Sequence, residues 1–167
     1  MNPDVLILMG SDSDLPVMEE SVKVLQEFGV TCEMHISSAH RSPARTGELA
    51  RTAAGRGIKV IIAGAGMAAH LAGVIAAETV LPVIAVPLPG GALNGLDALY
   101  AMVQMPGGIP VATMAIGKAG AKNAGLFAVQ ILAIGSPELA ARFADYKQAM
   151  AEDVAARDAL LQKRLTA

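Results

Sequence analysis

Short apolar runs alternate with amphipathic, helix-like stretches along this chain, which predicts an α/β protein: a three-layer α/β/α sandwich around a five-stranded parallel sheet. Two further observations agree. The strand-like runs at residues 5–9 and 59–63 are dominated by Val, Ile and Leu, as expected of strands covered on both faces. Hydrophobic residues make up 53% of the sequence while aromatics are only 3% and Trp is absent, so the core is built from Ala, Val, Ile, Leu and Met. The 167 residues suffice for one domain with a sizeable core. We expect a single α/β domain over 1–167, with its core at about 5–133 and a final helix at about 136–165.

The first run, Val5-Leu-Ile-Leu-Met9, ends in Gly10-Ser-Asp-Ser-Asp14. Asp14 suits a helix N-cap and Pro16 suits the first helical turn, opening an amphipathic run to Phe28. Ser11 and Ser13 place hydroxyls at that helix entrance, where backbone N–H groups favour an anion. The same residues also suit an ordinary capped turn.

Residues 31–36 alternate: Cys32, Met34 and Ile36 face one way, Thr31, Glu33 and His35 the other. This predicts an edge strand and a surface place for His35. The loop that follows, Ser37-Ser-Ala-His-Arg-Ser-Pro43, leaves the carboxyl end of the strand, where α/β sheets bind ligands. It sets a titratable imidazole, His40, beside a planar guanidinium, Arg41, that suits phosphate or carboxylate. A helix opened by Pro43 runs to about Ala54 and stops at Gly55-Arg-Gly57.

The third strand, 59–63, leads into Gly64-Ala-Gly-Met-Ala-Ala-His70, with His70 a helix cap or a pocket wall. A dinucleotide fingerprint would want a third glycine at position 69, which is Ala, and an acidic residue ending the next strand, which is absent. Residues 81–87 form the fourth strand, followed by a glycine-rich loop to Gly95 of the kind that covers ligands. A helix over 96–104, a break at Met105-Pro-Gly-Gly108 and a fifth strand at 109–113 come next. An Ala-rich helix spans 118–133, and Ser136-Pro137-Glu138 opens a long charged amphipathic helix. In the flavodoxin-like order 2-1-3-4-5 the 31–36 strand lies at an edge. The loops at Ser11, His40 and Gly64 then gather at the switch point.

Several classes are disfavoured. A net charge of -2 without a basic cluster argues against nucleic acid as the main partner. The apolar stretches are interrupted well short of the roughly 20 residues a membrane span needs. Asn2-Pro3-Asp4 is no secretory start, and a lone cysteine, Cys32, rules out an internal disulfide, so a cytoplasmic protein is expected. The apolar composition also favours extensive contacts between subunits.

Taken together, Gly10-Ser-Asp-Ser-Asp14, Ser38-Ala-His-Arg41, Gly64-Ala-Gly66 with Ala69-His70, and Ala92-Leu-Asn-Gly95 with Val103-Gln-Met-Pro-Gly-Gly108 form an ordered set. In these motifs and their spacing the chain resembles the 5-(carboxyamino)imidazole ribonucleotide mutases, the bacterial-type branch of the AIR carboxylase family, from about Val5 to Ala133. The animal carboxylases share the Ser-Ala-His-Arg loop but are less similar over 92–108. The resemblance implies an isomerase of purine biosynthesis, without metal or organic cofactor. The carboxylate on the exocyclic nitrogen of the substrate moves to a ring carbon through transiently trapped carbon dioxide. It implies His40 as proton carrier and Ser11, Asp14 and Arg41 as ribonucleotide ligands. Ser38 and Ala39 belong to the same binding loop, and Gly64, Ala65, Gly66 and His70 line the pocket. It also implies a homo-octamer. The sequence departs from the family at Met67 and Ala72, where Gly and Pro are usual, and at Gly91, where Ser is frequent.

Two other readings use the same scaffold. A flavodoxin-like flavin or nucleotide protein needs stacking aromatics, and none of the three Phe and two Tyr falls in the predicted binding loops. A non-catalytic ribonucleotide-binding module would bind without turnover.

Overall fold

The computed structural model describes residues 2–166. Its elements run β1 (Val5–Met9), α1 (Leu15–Glu27), β2 (Cys32–Ile36), α2 (Pro43–Ala53), β3 (Val60–Gly66), α3 (Leu71–Glu78), β4 (Val83–Leu88), α4 (Leu96–Val103), β5 (Ala112–Thr113), α5 (Lys118–Ala133) and α6 (Pro137–Thr166). Five parallel strands form one sheet in the order β2-β1-β3-β4-β5. The chain divides into two units, the first ending at Val129 within α5 and the second beginning at Gln130.

In the first unit the sheet is buried where the sequence is continuously apolar. Every residue of β1 and of β4 is buried, as two-sided cover requires. On one face Leu6, Leu8, Ile61, Ala63 and Ala85 pack with Ala50 and Ala53 of α2, Leu71 and Ile75 of α3, and Ala98 and Met102 of α4. On the other face α1 and α5 meet closely. The Ser21 hydroxyl donates to the Ala121 carbonyl at 2.6 Å, and a Cβ on Gly125 would sit 3.0 Å from the Ser21 carbonyl oxygen. Gly120 is tighter still, since a side chain there would collide with the Ala115 carbonyl. These contacts make the third layer.

Some boundaries differ from the sequence-based expectation. β3 runs to Gly66 because Gly64, Ala65 and Gly66 pair with Val86, Pro87 and Leu88, so the glycines belong to the strand and the loop begins at Met67. β5 shrinks to two residues, since only Ala112 and Thr113 find partners, on Ile84 and Ala85. Asp14 takes the N-cap position of α1 as expected, but its side chain makes no capping bond there. A short 3-10 turn over Asp12–Asp14 precedes the helix, Ser11 is its cap, and Asp14 reaches backward to the Ser11 amide. β2 is the edge strand foreseen, yet its Cys32/Met34/Ile36 side is only half-buried, with Ile36 50% exposed. His35 sits 3.6 Å from Glu33, which also pairs with Arg56.

The second unit contains α6, thirty residues and about 45 Å long at ~1.5 Å per residue. Ser136 caps it by accepting the Leu139 N–H at 3.3 Å, with Pro137 at the first position. None of its described residues is buried, and Met150, Val154, Leu160, Leu161 and Leu165 are exposed.

Candidate functional site

The chain leaves β1 toward β2 on one side and β3 toward β4 on the other, which opens a crevice at the carboxyl ends of the strands. A cavity of about 470 Å³ occupies it. Three loops supply its polar groups.

The loop after β1 is a reciprocal capping box. The Ser11 amide donates to Asp14 Oδ2 at 3.0 Å, and Ser11 Oγ accepts from the Ser13 amide at 3.4 Å. Burial pushes the Asp14 carboxyl above its ordinary value. Backbone bonds from Ser11 and Gly10, a side-chain bond from Ser13 and the nearby Arg41 charge pull it back only in part. A carboxylate held under that tension gains from any further donor, such as a ligand hydroxyl.

The loop after β2 folds on its own hydroxyls. Arg41 N–H donates to Ser38 Oγ at 3.1 Å, and Arg41 Nη2 crosses to the Gly10 carbonyl at 3.0 Å. Arg41 Nε also donates to Ser38 Oγ at 3.5 Å, so the guanidinium is fixed beside the capping box with Nε and Nη2 engaged and Nη1 left for a ligand. His40 lies next to it, exposed to the cavity.

The loop after β3 brings His70 to His40. Their rings are edge-to-face at 83°, and His40 Nε2 lies 2.8 Å from His70 Nδ1. One imidazole donates and the other accepts, so one hydrogen sits between the two rings. His70 precedes α3, but its side chain makes no capping bond, so its polar contact is with the site. Ala39, Ala65, Met67, Leu71 and Pro89 give the cavity an apolar wall. Met67 is 59% exposed and holds a left-handed backbone, φ 55°; a Cβ on Gly91 would lie 3.3 Å from its Cγ.

Of the residues singled out from sequence, Ser11, Asp14, Ser38, Ala39, His40, Arg41, Ala65, Gly66 and His70 all line this cavity. Gly64 is set behind it. It is buried within β3, its carbonyl accepts the Gly10 N–H at 3.3 Å, and a side chain there would run into the Met18 sulfur. Met67, noted only as a departure from the family, also joins the lining, with Ala68, Leu71, Pro89 and Gly90, which had not been singled out. The first two stand between Gly66 and His70 in the sequence, and that position was the available signal. The cavity combines an anion anchor, a half-buried carboxylate and an imidazole pair, the elements of a site that binds a polyhydroxylated anion and moves a proton.

The AIR carboxylase family model matches residues 4–153 of this chain. The chain belongs to the AIR carboxylase family. Within that family it is 56% identical over 152 residues to N5-carboxyaminoimidazole ribonucleotide mutase of Thermotoga maritima, covering 91% of this chain and 88% of that one. The mutase of the same name from Pyrococcus abyssi is 60% identical over 148 residues, 89% and 84% of the two chains. That of Mycobacterium tuberculosis is 53% identical over 161 residues, 96% and 91%. The crystal structure of Treponema denticola PurE superposes with a TM-score of 0.85 at 30% identity, covering 94% of this chain and 97% of that one. Fold, order of strands and family therefore agree.

Proposed function

We propose that this AIR carboxylase family member is an isomerase of purine biosynthesis. It converts 5-(carboxyamino)imidazole ribonucleotide to 4-carboxy-5-aminoimidazole ribonucleotide, with His40 as the proton carrier. The observation that carries the assignment is the His40–His70 contact of 2.8 Å at the cavity that also holds Ser11, Asp14 and Arg41.

The steps balance with one proton carrier. As the exocyclic C–N bond breaks, its electron pair returns to nitrogen, which takes a proton from His40, and carbon dioxide is released into the cavity. The electron-rich ring carbon then attacks that carbon dioxide and forms the new C–C bond. Loss of the proton from the same carbon restores aromaticity, and His40 receives it. One proton is given and one recovered, so the imidazole ends as it began. Throughout, Arg41 holds the phosphate through charge-assisted bonds and Asp14 accepts ribose hydroxyls, an interaction its upward-pushed carboxyl favours. The apolar wall around Ala39, Ala65 and Met67 suits a neutral gas molecule and excludes the water that would carry it away. The reaction needs no redox partner.

The enzyme acts in the cytoplasm as a homo-oligomer, an octamer by family likeness. The exposed apolar residues of α6 from Met150 to Leu165 and the half-buried edge strand β2 support subunit contacts. A direct isomerase assay with each carboxylated nucleotide, without ATP or added metal, tests the activity. Interconversion in both directions is expected, whereas tight binding with no interconversion would make the chain a binding module.

A further inference from the structure

In so apolar a core, buried polar side chains are few enough to be informative. Among the described residues they are Ser21, Ser37 and Thr46, and two of these three bond to each other beneath the His40 loop. Ser37 is 1% exposed and Thr46 0%, with their hydroxyl oxygens 2.7 Å apart. Thr46 Oγ1 also lies 3.2 Å from the Ser42 carbonyl, so with Ser37 as donor in the pair both hydroxyl hydrogens are used. The chain of hydroxyls continues. Ser42 Oγ donates to the Ser38 carbonyl and accepts the Ser38 amide, both at 3.1 Å, and Ser38 Oγ accepts the Arg41 amide at 3.1 Å. At its base the Ser37 amide donates to the Met9 carbonyl at 2.8 Å, tying the loop to β1.

We infer that the Ser37–Thr46 hydroxyl pair is a positioning device for His40 and Arg41. It anchors a hydroxyl relay that sets the turn carrying both side chains against the sheet. A buried hydroxyl costs free energy unless it is bonded, and a pair of alkyl side chains would fill the same volume without that cost. The relay gives what packing alone does not, a fixed direction at each link. His40 is exposed and sits on a loop, yet it must meet His70 at 2.8 Å while Arg41 meets Gly10 at 3.0 Å. A displacement of about 1 Å at such a centre can cost on the order of 100-fold in rate. The kinetic part of this inference rests on the proton-carrying role of His40 given above.

Thr46→Val and Thr46→Ser test it as a crossed pair. Thr46→Val keeps the shape and removes the hydroxyl; kcat is expected to fall about 10-fold with KM within roughly 3-fold, because the Arg41 guanidinium keeps its own bond to the Gly10 carbonyl and so its place beside the phosphate. Thr46→Ser keeps the hydroxyl and loses a buried methyl, so its thermal midpoint falls while kcat stays near wild type. If Thr46→Val kept wild-type kcat, or Thr46→Ser lost as much as Thr46→Val, the pair would be packing and the inference would be overturned. Should Thr46→Val fold poorly, Ser37→Ala/Thr46→Val removes both hydroxyls and leaves no orphan, and the same kinetic split is expected of it. Amide hydrogen exchange at Ser38, Arg41 and Ser42 gives a readout independent of the reaction, faster in Thr46→Val and unchanged in Thr46→Ser. A wild-type protein without isomerase activity would refute the reaction, while the exchange rates would still decide the positioning role; unchanged exchange in Thr46→Val would refute the latter.

Discussion

Two loops on this cavity are built by opposite means. Residues 37–42 are held by side-chain oxygens: Ser37, Ser38 and Ser42 each make hydrogen bonds, and Arg41 adds a bond across to Gly10. Residues 89–95 contain Gly90, Gly91 and Gly95 and turn through left-handed conformations at Gly91, Asn94 and Gly95, with φ of 61°, 49° and 89°. A Cβ at Gly90 would meet nothing within 4 Å, and the Leu96 amide closes the segment onto the Leu93 carbonyl at 3.1 Å. The first loop loses its conformational freedom at folding, offset by hydrogen bonds. The second is built on glycines, the residues that lose the most conformational entropy on ordering. A proton carrier calls for the first construction and a cover over the substrate for the second.

Removing the proton carrier from the ordered loop should have the largest effect. His40→Asn is expected to lower kcat by about 10²–10⁴-fold or more, while titration calorimetry finds nucleotide affinity within roughly 3-fold of wild type. A variant that turns over normally would show that the order of this loop serves something other than proton transfer. Arg41→Ala comes next. A charge-assisted phosphate contact contributes about 1.5–3 kcal/mol, so Kd should rise roughly 10- to 150-fold. Unchanged affinity would place the phosphate elsewhere in the cavity, nearer the glycine-rich loop.

Asp14 gives a smaller effect with a defined sign. Its folded value lies above the ordinary 3.8 because of burial. Between 3.8 and that raised value the native state keeps a proton that the unfolded chain has shed, so its contribution to stability declines as pH rises through that window. Urea midpoints across the acid range should therefore show wild type losing stability relative to Asp14→Asn as pH rises through that window, alongside weaker nucleotide binding in the variant. An identical profile in both proteins would contradict the burial effect. The smallest effect is expected at Met67, whose side chain lies beside Gly91 of the 89–95 loop. Met67→Gly relieves a left-handed backbone at φ 55° and gives up a side-chain contact at Gly91. Stability should rise by up to about 1 kcal/mol, a thermal midpoint shift of a few degrees. KM should increase by less than about 3-fold. A loss of stability would mean that the contact at Gly91 outweighs the strain.

Much of the scaffold was legible because it rests on local patterns. Val5–Met9 and α5 coincide with their apolar and Ala-rich runs, and the alternation of Cys32–Ile36 announced an edge. What escaped depends on pairing between distant residues. Gly64 to Gly66 look like a loop by composition, yet their backbone stays in register with Val86 to Leu88. Ile109 to Val111 look like strand, but only the two residues after them find ladder partners. At the site, Ser11, His40 and Arg41 stood out as residue types at strand ends. The contact between His40 and His70 spans thirty positions, and the burial of Ser37 and Thr46 depends on a fold that no local window contains.

Gly120 has a consequence on another timescale. At the first turn of α5 its α-carbon lies against the Ala115 carbonyl, and the Gly117 amide nearby ties the end of β4, at the Pro87 carbonyl, to the start of that helix. Every amino acid one nucleotide away from a glycine codon carries a Cβ. No single-base missense change at this codon can therefore be accommodated without displacing either α5 or the Ala115 carbonyl that its first turn packs against. A Cβ added at Gly107 meets nothing, whereas at Gly120 every such change runs into backbone.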